Sequence, residues 1–238
     1  MHTGAGQLAE LYLDSDRAAA RLSCPAELVP APGQYLLAHD ASDSPLPVPI
    51  FAAGAAPGGF LTAPPLPASW TPGVPLHLRG PLGRGFSLPV SARLVALIAL
   101  DDSPARLLAL LPPALAQGAA VTLVCGSPPQ ELPAEVEVQP LAALEDVCTW
   151  ADYLAVDVER ASLPGLRVRL GWSDQLKARA ERNWIAEAQV LVRTPMPCGG
   201  VAECGVCAVL THHGWAMACK DGPVFDLSEL RRLIPDTE

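Results

Sequence analysis

Four cysteines fall within 22 residues near one end of this 238-residue chain, in "PCGGVAECGVC" and "WAMACKDGPVF". Their spacing is Cys198-x5-Cys204-x2-Cys207-x11-Cys219. Thiolates are soft ligands that suit zinc and iron–sulfur clusters. All four can face one point if the loop between them wraps around it. Gly199, Gly200 and Gly205 give that freedom, because glycine takes positive φ at no steric cost. They also leave backbone N–H groups free to point at sulfur and offset its negative charge. Zinc ribbons use two short Cys-x2–4-Cys knuckles, and only Cys204 and Cys207 form one here. Plant-type [2Fe–2S] proteins use Cys-x4-Cys-x2-Cys and a distant fourth cysteine. This chain matches that spacing with one extra residue in the first gap, which is expected to bulge and leave Cys198 a ligand. The spacing favours a [2Fe–2S] cluster on Cys198, Cys204, Cys207 and Cys219, with a four-cysteine zinc site as the alternative.

The rest of the composition narrows the setting. Half of the residues are apolar, as in a globular protein, and net charge is −9. An acidic balance argues against nucleic acid and anionic membranes as partners. The first residues show no basic n-region followed by an apolar stretch. The apolar runs "ARLVALIAL" and "RLLALLPPALA" stop well short of the ~20 residues of a membrane span. A cytoplasmic protein is expected, where seven cysteines point to metal more than to disulfides. Cys24, Cys125 and Cys148 lie far from the cluster in sequence and read as buried, inert thiols. His212 and His213, between Cys207 and Cys219, read as a solvated turn, and Trp215 and Met217 as a shield for the cluster.

Positioning elements follow from the same pass. The 26 prolines concentrate between Pro25 and Pro89 and exclude long helices there. "ELYLD", "GQYLLAHD", "VPIFAAG" and "PLHLRG" read as short strands of a barrel or sandwich over residues 1–90. Over 91–172, "ARLVALIAL", "AAVTLVCG", "EVEVQP" and "ADYLAVDV" read as strands. A helix between the first two is capped by Ser103 and ended by Gly118. Strand–helix–strand order implies a parallel sheet with right-handed crossovers. Residues 173–192 read as a helix with basic Lys177, Arg179 and Arg182 on a solvated face. It opens a third segment, 173–238, which carries the cysteines.

"CGGVAECGVC…ACKDGPVF" resembles the C-terminal iron–sulfur segment of the electron-transfer subunit of dihydroorotate dehydrogenase B, a ferredoxin–NADP reductase-like family. "APGQYLL" (31–37) resembles that family's early Pro-Gly-Gln-aromatic strand, and "RGPLGRGFSL" (79–88) the turn that closes its flavin barrel. The resemblance implies a β-barrel, an α/β domain and a C-terminal [2Fe–2S] module in that order. It also implies an electron-transfer subunit in a hetero-oligomer with a dihydroorotate dehydrogenase-like flavoprotein catalytic subunit, serving pyrimidine biosynthesis.

Two departures from the family bear on its other cofactors. The family carries an Arg-Pro-x-Ser stretch, whose arginine neutralises the flavin diphosphate and whose hydroxyl contacts the ring system. In "PVPIFAAG" Val48 stands at the arginine and Phe51 at the hydroxyl, which removes a charge-assisted phosphate contact. The family's glycine-rich loop after the first α/β strand, which holds pyrophosphate at a helix N-terminus, is replaced by "IALDDSPARLL". Asp101 and Asp102 there repel a diphosphate. NAD is not expected and FAD is disfavoured. A chain that keeps FAD without the arginine, or a zinc-bound scaffold subunit, is the alternative.

Overall fold

The computed structural model describes residues 1–14, 17–44, 46–100, 103–170 and 187–230. The proline-rich first part supplies six strands: β1 (His2–Asp14), β2 (Arg17–Ser23), β3 (Tyr35–His39), β4 (Val48–Ala56), β5 (Gly59–Thr62) and β6 (Pro75–Leu82). They close into an antiparallel barrel in the order β1-β2-β5-β4-β3-β6. Alternation decides which side chains fill it. In β6, Leu76 and Leu78 point inward and are buried, while His77 and Arg79 point outward. Leu8, Leu22, Leu36, Ile50 and Phe60 complete the barrel core. β3 breaks the alternation, with Tyr35, Leu36, Leu37 and Ala38 all buried. Its outer side is covered too, because Tyr35 and Leu37 belong to a second core shared with the cysteine segment. Strands β2 and β5 carry weak signals, "RAAARLS" and "GFLT", and were not anticipated.

The second body is a six-stranded sheet of order β14-β11-β10-β7-β8-β9. Its strands are β7 (Leu94–Ala99), β8 (Ala120–Val124), β9 (Val136–Gln139), β10 (Tyr153–Glu159), β11 (Glu187–Arg193) and β14 (Val224–Asp226). All pairs are parallel except β11–β14. The four strands expected over 91–172 are present. β10 is buried in six of its seven residues, as a strand covered on both faces should be. The helix expected between Ser103 and Gly118 is two helices, α1 (Ala105–Leu108) and α2 (Leu111–Ala116). Pro112 and Pro113 cause the break: they lack N–H donors and fit only the first turn of a new helix. α3 (Leu144–Trp150) and α4 (Leu163–Arg169) are as short.

One expectation is corrected. The helix over 173–192 does not reach its end, since residues 187–193 form β11, paired along its length with β10. The run "AQVLV" is a doubly buried strand that continues an upstream helical pattern without punctuation. Residues 171–186, with Lys177, Arg179 and Arg182, lie outside the described residues, as do Asp101 and Asp102. Both β11 and β14 come from the 173–238 stretch, so the sheet is completed by the segment that bears the cysteines. Among the described residues no helix is long and apolar enough to cross a membrane.

Candidate metal centre

The eleven-residue gap between Cys207 and Cys219 is closed by a hairpin of β12 (Ala208–Thr211) and β13 (Gly214–Met217). Ala208 pairs with Met217, and the Ala218 N–H donates to the Cys207 carbonyl at 3.1 Å, so both cysteines emerge at the open end. A turn from Gly205 to Ala208, closed at 3.1 Å, carries Cys207 back toward Cys204. Gly199, Gly200 and Ala202 have φ of +64°, +77° and +64°, a coil tight enough to bring Cys198 to Cys204 despite the extra residue. Arg160 braces the segment from outside, donating to the Val206 and Ala208 carbonyls.

The thiols associate in two pairs. Cys204 lies close enough to Cys198, and Cys207 close enough to Cys219, to shift the ionisation of Cys198 and of Cys219. The first pair faces outward, with Cys204 exposed and Cys198 half-buried; the second pair is buried, each 1 % exposed. Burial works against ionising Cys198. The Cys204 thiol and the N–H groups of Cys204, Ala202 and Val201 outweigh it and hold Cys198 down at about 6. Burial pushes Cys219 up to about 12, and the neighbouring Cys207 and Cys198 add to the effect. Cys198 accepts negative charge readily; Cys219 needs a cation to do so. Among the described residues no three His, Cys, Asp or Glu side chains close round a single ion. Two neighbouring pairs of thiols put four soft donors on one segment.

Neighbouring residues divide differently from expectation. Trp215 is 70 % exposed and does not cover the cysteines as expected; Met217 is half-buried against the shared core. Val201 and Val206 are exposed beside Cys204. His212 and His213 are exposed at the hairpin turn. Cys125 and Cys148 are buried and Cys24 is half-buried.

The mount of the cysteine segment is built from the three stretches singled out in the sequence. The Tyr35 hydroxyl donates to the Cys219 carbonyl at 2.7 Å. Arg84 forms a bridge with Pro223: its N–H donates to the Gly222 carbonyl, and Val224 returns a bond to the Arg84 carbonyl at 3.3 Å. Gln34 donates to Gly83 at 3.2 Å, and Phe86 to Pro32 at 2.8 Å. Gly83, at φ +73°, has no room for a side chain: a Cβ would stand 2.6 Å from the Gly222 carbonyl oxygen. "APGQYLL", "RGPLGRGF" and "CKDGPVF" therefore pack on one another and form a single joint under the cysteines.

The fold offers a second place for a ligand. In open α/β sheets a dinucleotide binds beyond the carboxyl ends of the strands, where chain order reverses. Here that point lies between β7 and β10. It is filled. Asp157, at the end of β10 and 2 % exposed, accepts from Arg106 of α1 at 3.2 Å and from Arg193 of β11 at 2.8 Å. Burial pushes the Asp157 carboxyl up, and the two guanidiniums pull against it. Arg106 continues toward the barrel. It donates to the Pro64 carbonyl at 2.6 Å and stands 5.9 Å from the centre of the Phe51 ring. Phe51 occupies the position where a hydroxyl would meet the flavin ring, and α1 packs on β4 there. Arg106 and Phe51 thus stand on the side of the cleft where the resemblance would put the flavin, and Val48 brings no arginine to it, which is the ground for expecting neither FAD nor NAD. Accordingly, protein purified anaerobically should contain flavin well below stoichiometry, and micromolar NADH should not bleach its visible absorption. Flavin at one equivalent per chain, or bleaching by NADH alone, would contradict this.

Comparison with known proteins agrees with this architecture. Residues 194–231 match the iron–sulfur cluster binding domain of dihydroorotate dehydrogenase B. The NADH-dependent reduced ferredoxin-NADP oxidoreductase structure superposes with a TM-score of 0.71 at 14 % identity, over 95 % of this chain and 89 % of that one. The ferredoxin reductase of carbazole 1,9a-dioxygenase gives 0.62 at 14 % identity, over 81 % and 69 %. The flavohem-like FAD/NAD binding domain of nitric oxide dioxygenase from Vibrio cholerae O1 biovar El Tor gives 0.52 at 17 %, over 79 % and 98 %. No curated protein matches the chain. The fold is thus of the ferredoxin–NADP reductase type, with an iron–sulfur binding segment at its C-terminal side. Segment and fold together bear out the chain's resemblance to the electron-transfer subunit of dihydroorotate dehydrogenase B.

Proposed function

We propose that this protein is a cytoplasmic one-electron relay, holding a [2Fe–2S] cluster on Cys198, Cys204, Cys207 and Cys219. It passes electrons to or from a flavoprotein catalytic subunit of dihydroorotate dehydrogenase type. The observation that carries the reading is the pairing of the thiols, two outward and two buried, on a rigid joint. When bound, the cluster supplies one-electron chemistry; the chain supplies position, burial and N–H groups that offset the sulfur charge. With the flavin cleft filled, the chain contributes no bond-making groups of its own. Division into a barrel (1–90), an α/β unit (91–172) and a cluster segment (173–238) belongs to the same proposal.

The decisive experiment is anaerobic purification with iron, sulfide and zinc analysis. About two irons per chain and a rhombic S = ½ EPR signal on reduction are expected. One zinc and no iron would overturn the reading in favour of a scaffold subunit. Partner docking belongs to the same proposal, on the exposed side of the cysteine segment that carries Cys204, Val201 and Val206 and on the hairpin's exposed Trp215. Exposed aromatic and aliphatic side chains beside a redox centre suit a contact that must exclude water. Trp215→Ala should weaken association with the catalytic subunit roughly 30-fold, the scale of an interface hot spot. Iron content should be unchanged. Unaltered affinity in a binding titration would move the interface elsewhere.

A further inference from the structure

A cavity of about 690 Å³ opens on the other side of the cysteine segment, against the outer wall of the barrel. Its floor is made by β1, β6 and β3, whose register sets Thr3 and Leu37 either side of Arg79, and His39 beside His77. Its side wall is Pro197, Cys198 and Gly199. It is separate from the filled flavin cleft, which lies against β4; β3 stands between the two. It is also separate from the face that carries Cys204 and Trp215, since neither lines it.

Its chemistry is unlike that of the chain as a whole. Net charge is −9, yet no carboxylate lines this cavity. Arg79 is half-buried, and its guanidinium is held against the cysteine loop: a Cβ on Gly199 would stand 3.3 Å from Arg79 Nη2. Among the described residues neither Arg79 nor His77 has a hydrogen-bond or ion-pair partner. His39 is already committed, accepting from the Ala41 N–H at 2.9 Å and donating to the Ser44 carbonyl at 2.7 Å. Cys198 is the one wall residue that can carry negative charge; a half-buried guanidinium with no carboxylate partner favours an anion, and its planar fork suits carboxylate or phosphate. Leu37, Pro47 and Pro197 add an apolar surface for the rest of a ligand. The volume lies within the range of small-molecule sites.

We propose that this cavity binds a small organic anion, with a carboxylate or phosphate at Arg79 and a flat apolar body against Leu37, Pro47 and Pro197. The ligand lies against Cys198, on a side of the metal centre away from the docking face. This goes beyond the electron-relay reading and does not depend on which metal the cysteines hold.

Titration calorimetry with 1-naphthyl phosphate, 1-naphthoate and 1-naphthol tests it, using one ring with three head groups. The two anions should bind at least roughly tenfold more tightly than naphthol, the scale of one charge-assisted contact. The order of the anions tells a phosphate site from a carboxylate site. Arg79→Ala should remove the preference for anions, Arg79→Lys should keep part of it, and Trp215→Ala should leave all three affinities unchanged. Equal binding of the three probes, a preference that survives Arg79→Ala, or no saturable heat below about 1 mM would overturn the proposal. The titration needs no metal. Anion binding by an iron-free chain would therefore uphold the cavity while sinking the cluster, and an iron-loaded chain that ignores the anions would do the reverse.

Discussion

Asp157→Ala is expected to lower the unfolding free energy by about 3–5 kcal/mol, the largest loss from a single substitution outside the metal centre. The carboxylate is 2 % exposed and lies between Arg106 at 3.2 Å and Arg193 at 2.8 Å. Removing it takes the buried carboxylate from both guanidiniums, while Arg193 keeps its bond to the exposed Glu159 at 3.1 Å. The cost comes from the charge left there more than from the lost bonds. Arg106 also holds the Pro64 carbonyl, so the damage should spread from the sheet to the barrel. Asp157→Asn keeps an acceptor and should cost less. Arg84→Ala, which breaks exposed pairs with Asp226 and Glu229, should cost under about 1 kcal/mol through those pairs. Urea unfolding of the three variants checks the order. A loss under about 1 kcal/mol for Asp157→Ala would show that the network is open to water and that the cleft is not sealed.

Cys219→Ala should abolish the metal centre, with iron falling from about two per chain to near zero. Cys219 is buried with Cys207 at the open end of the hairpin, and its carbonyl is tied to Tyr35. Among the described residues His212 and His213 are exposed at the far end of β12 and β13, and Asp221 is engaged by the Met217 N–H. Cys204→Ser should behave differently. Cys204 is exposed, so a serine oxygen there can be hydrated and can still ligate. That variant should keep part of its iron and show a shifted EPR signal. Equal loss from both variants, by iron assay and EPR, would mean that the outward and buried pairs are not distinct.

Much of this was legible before any coordinates. The cysteine spacing pointed to an iron–sulfur segment, and the family match over residues 194–231 agrees with it. Strands β7, β8 and β10 announced themselves as unbroken apolar runs, which only doubly covered strands allow. The parts that were not legible share a physical reason. "RAAARLS" and "GFLT" become strands because the barrel must close, and closure is a property of six strands together. β11 hid at the end of a helical pattern, since "AQVLV" satisfies both periods. Trp215 looked like a shield because sequence distance from Cys219 says nothing about which face of a hairpin it takes. The filled cleft was half visible. Val48 and Phe51 stood where an arginine and a hydroxyl belong, but nothing local to Arg106 tells that it reaches Asp157 on one side and Pro64 on the other.

The joint under the cysteines bears on how such a chain drifts over time. A chain of this fold that loses its flavin is freed from the demand on the residues that touched it. The three family-like stretches are under a different demand. They hold one another and the Cys219 carbonyl in place, and Gly83 has no room to change. A descendant can therefore shed the cofactor and still carry the signature by which its flavin-bearing ancestors would be known.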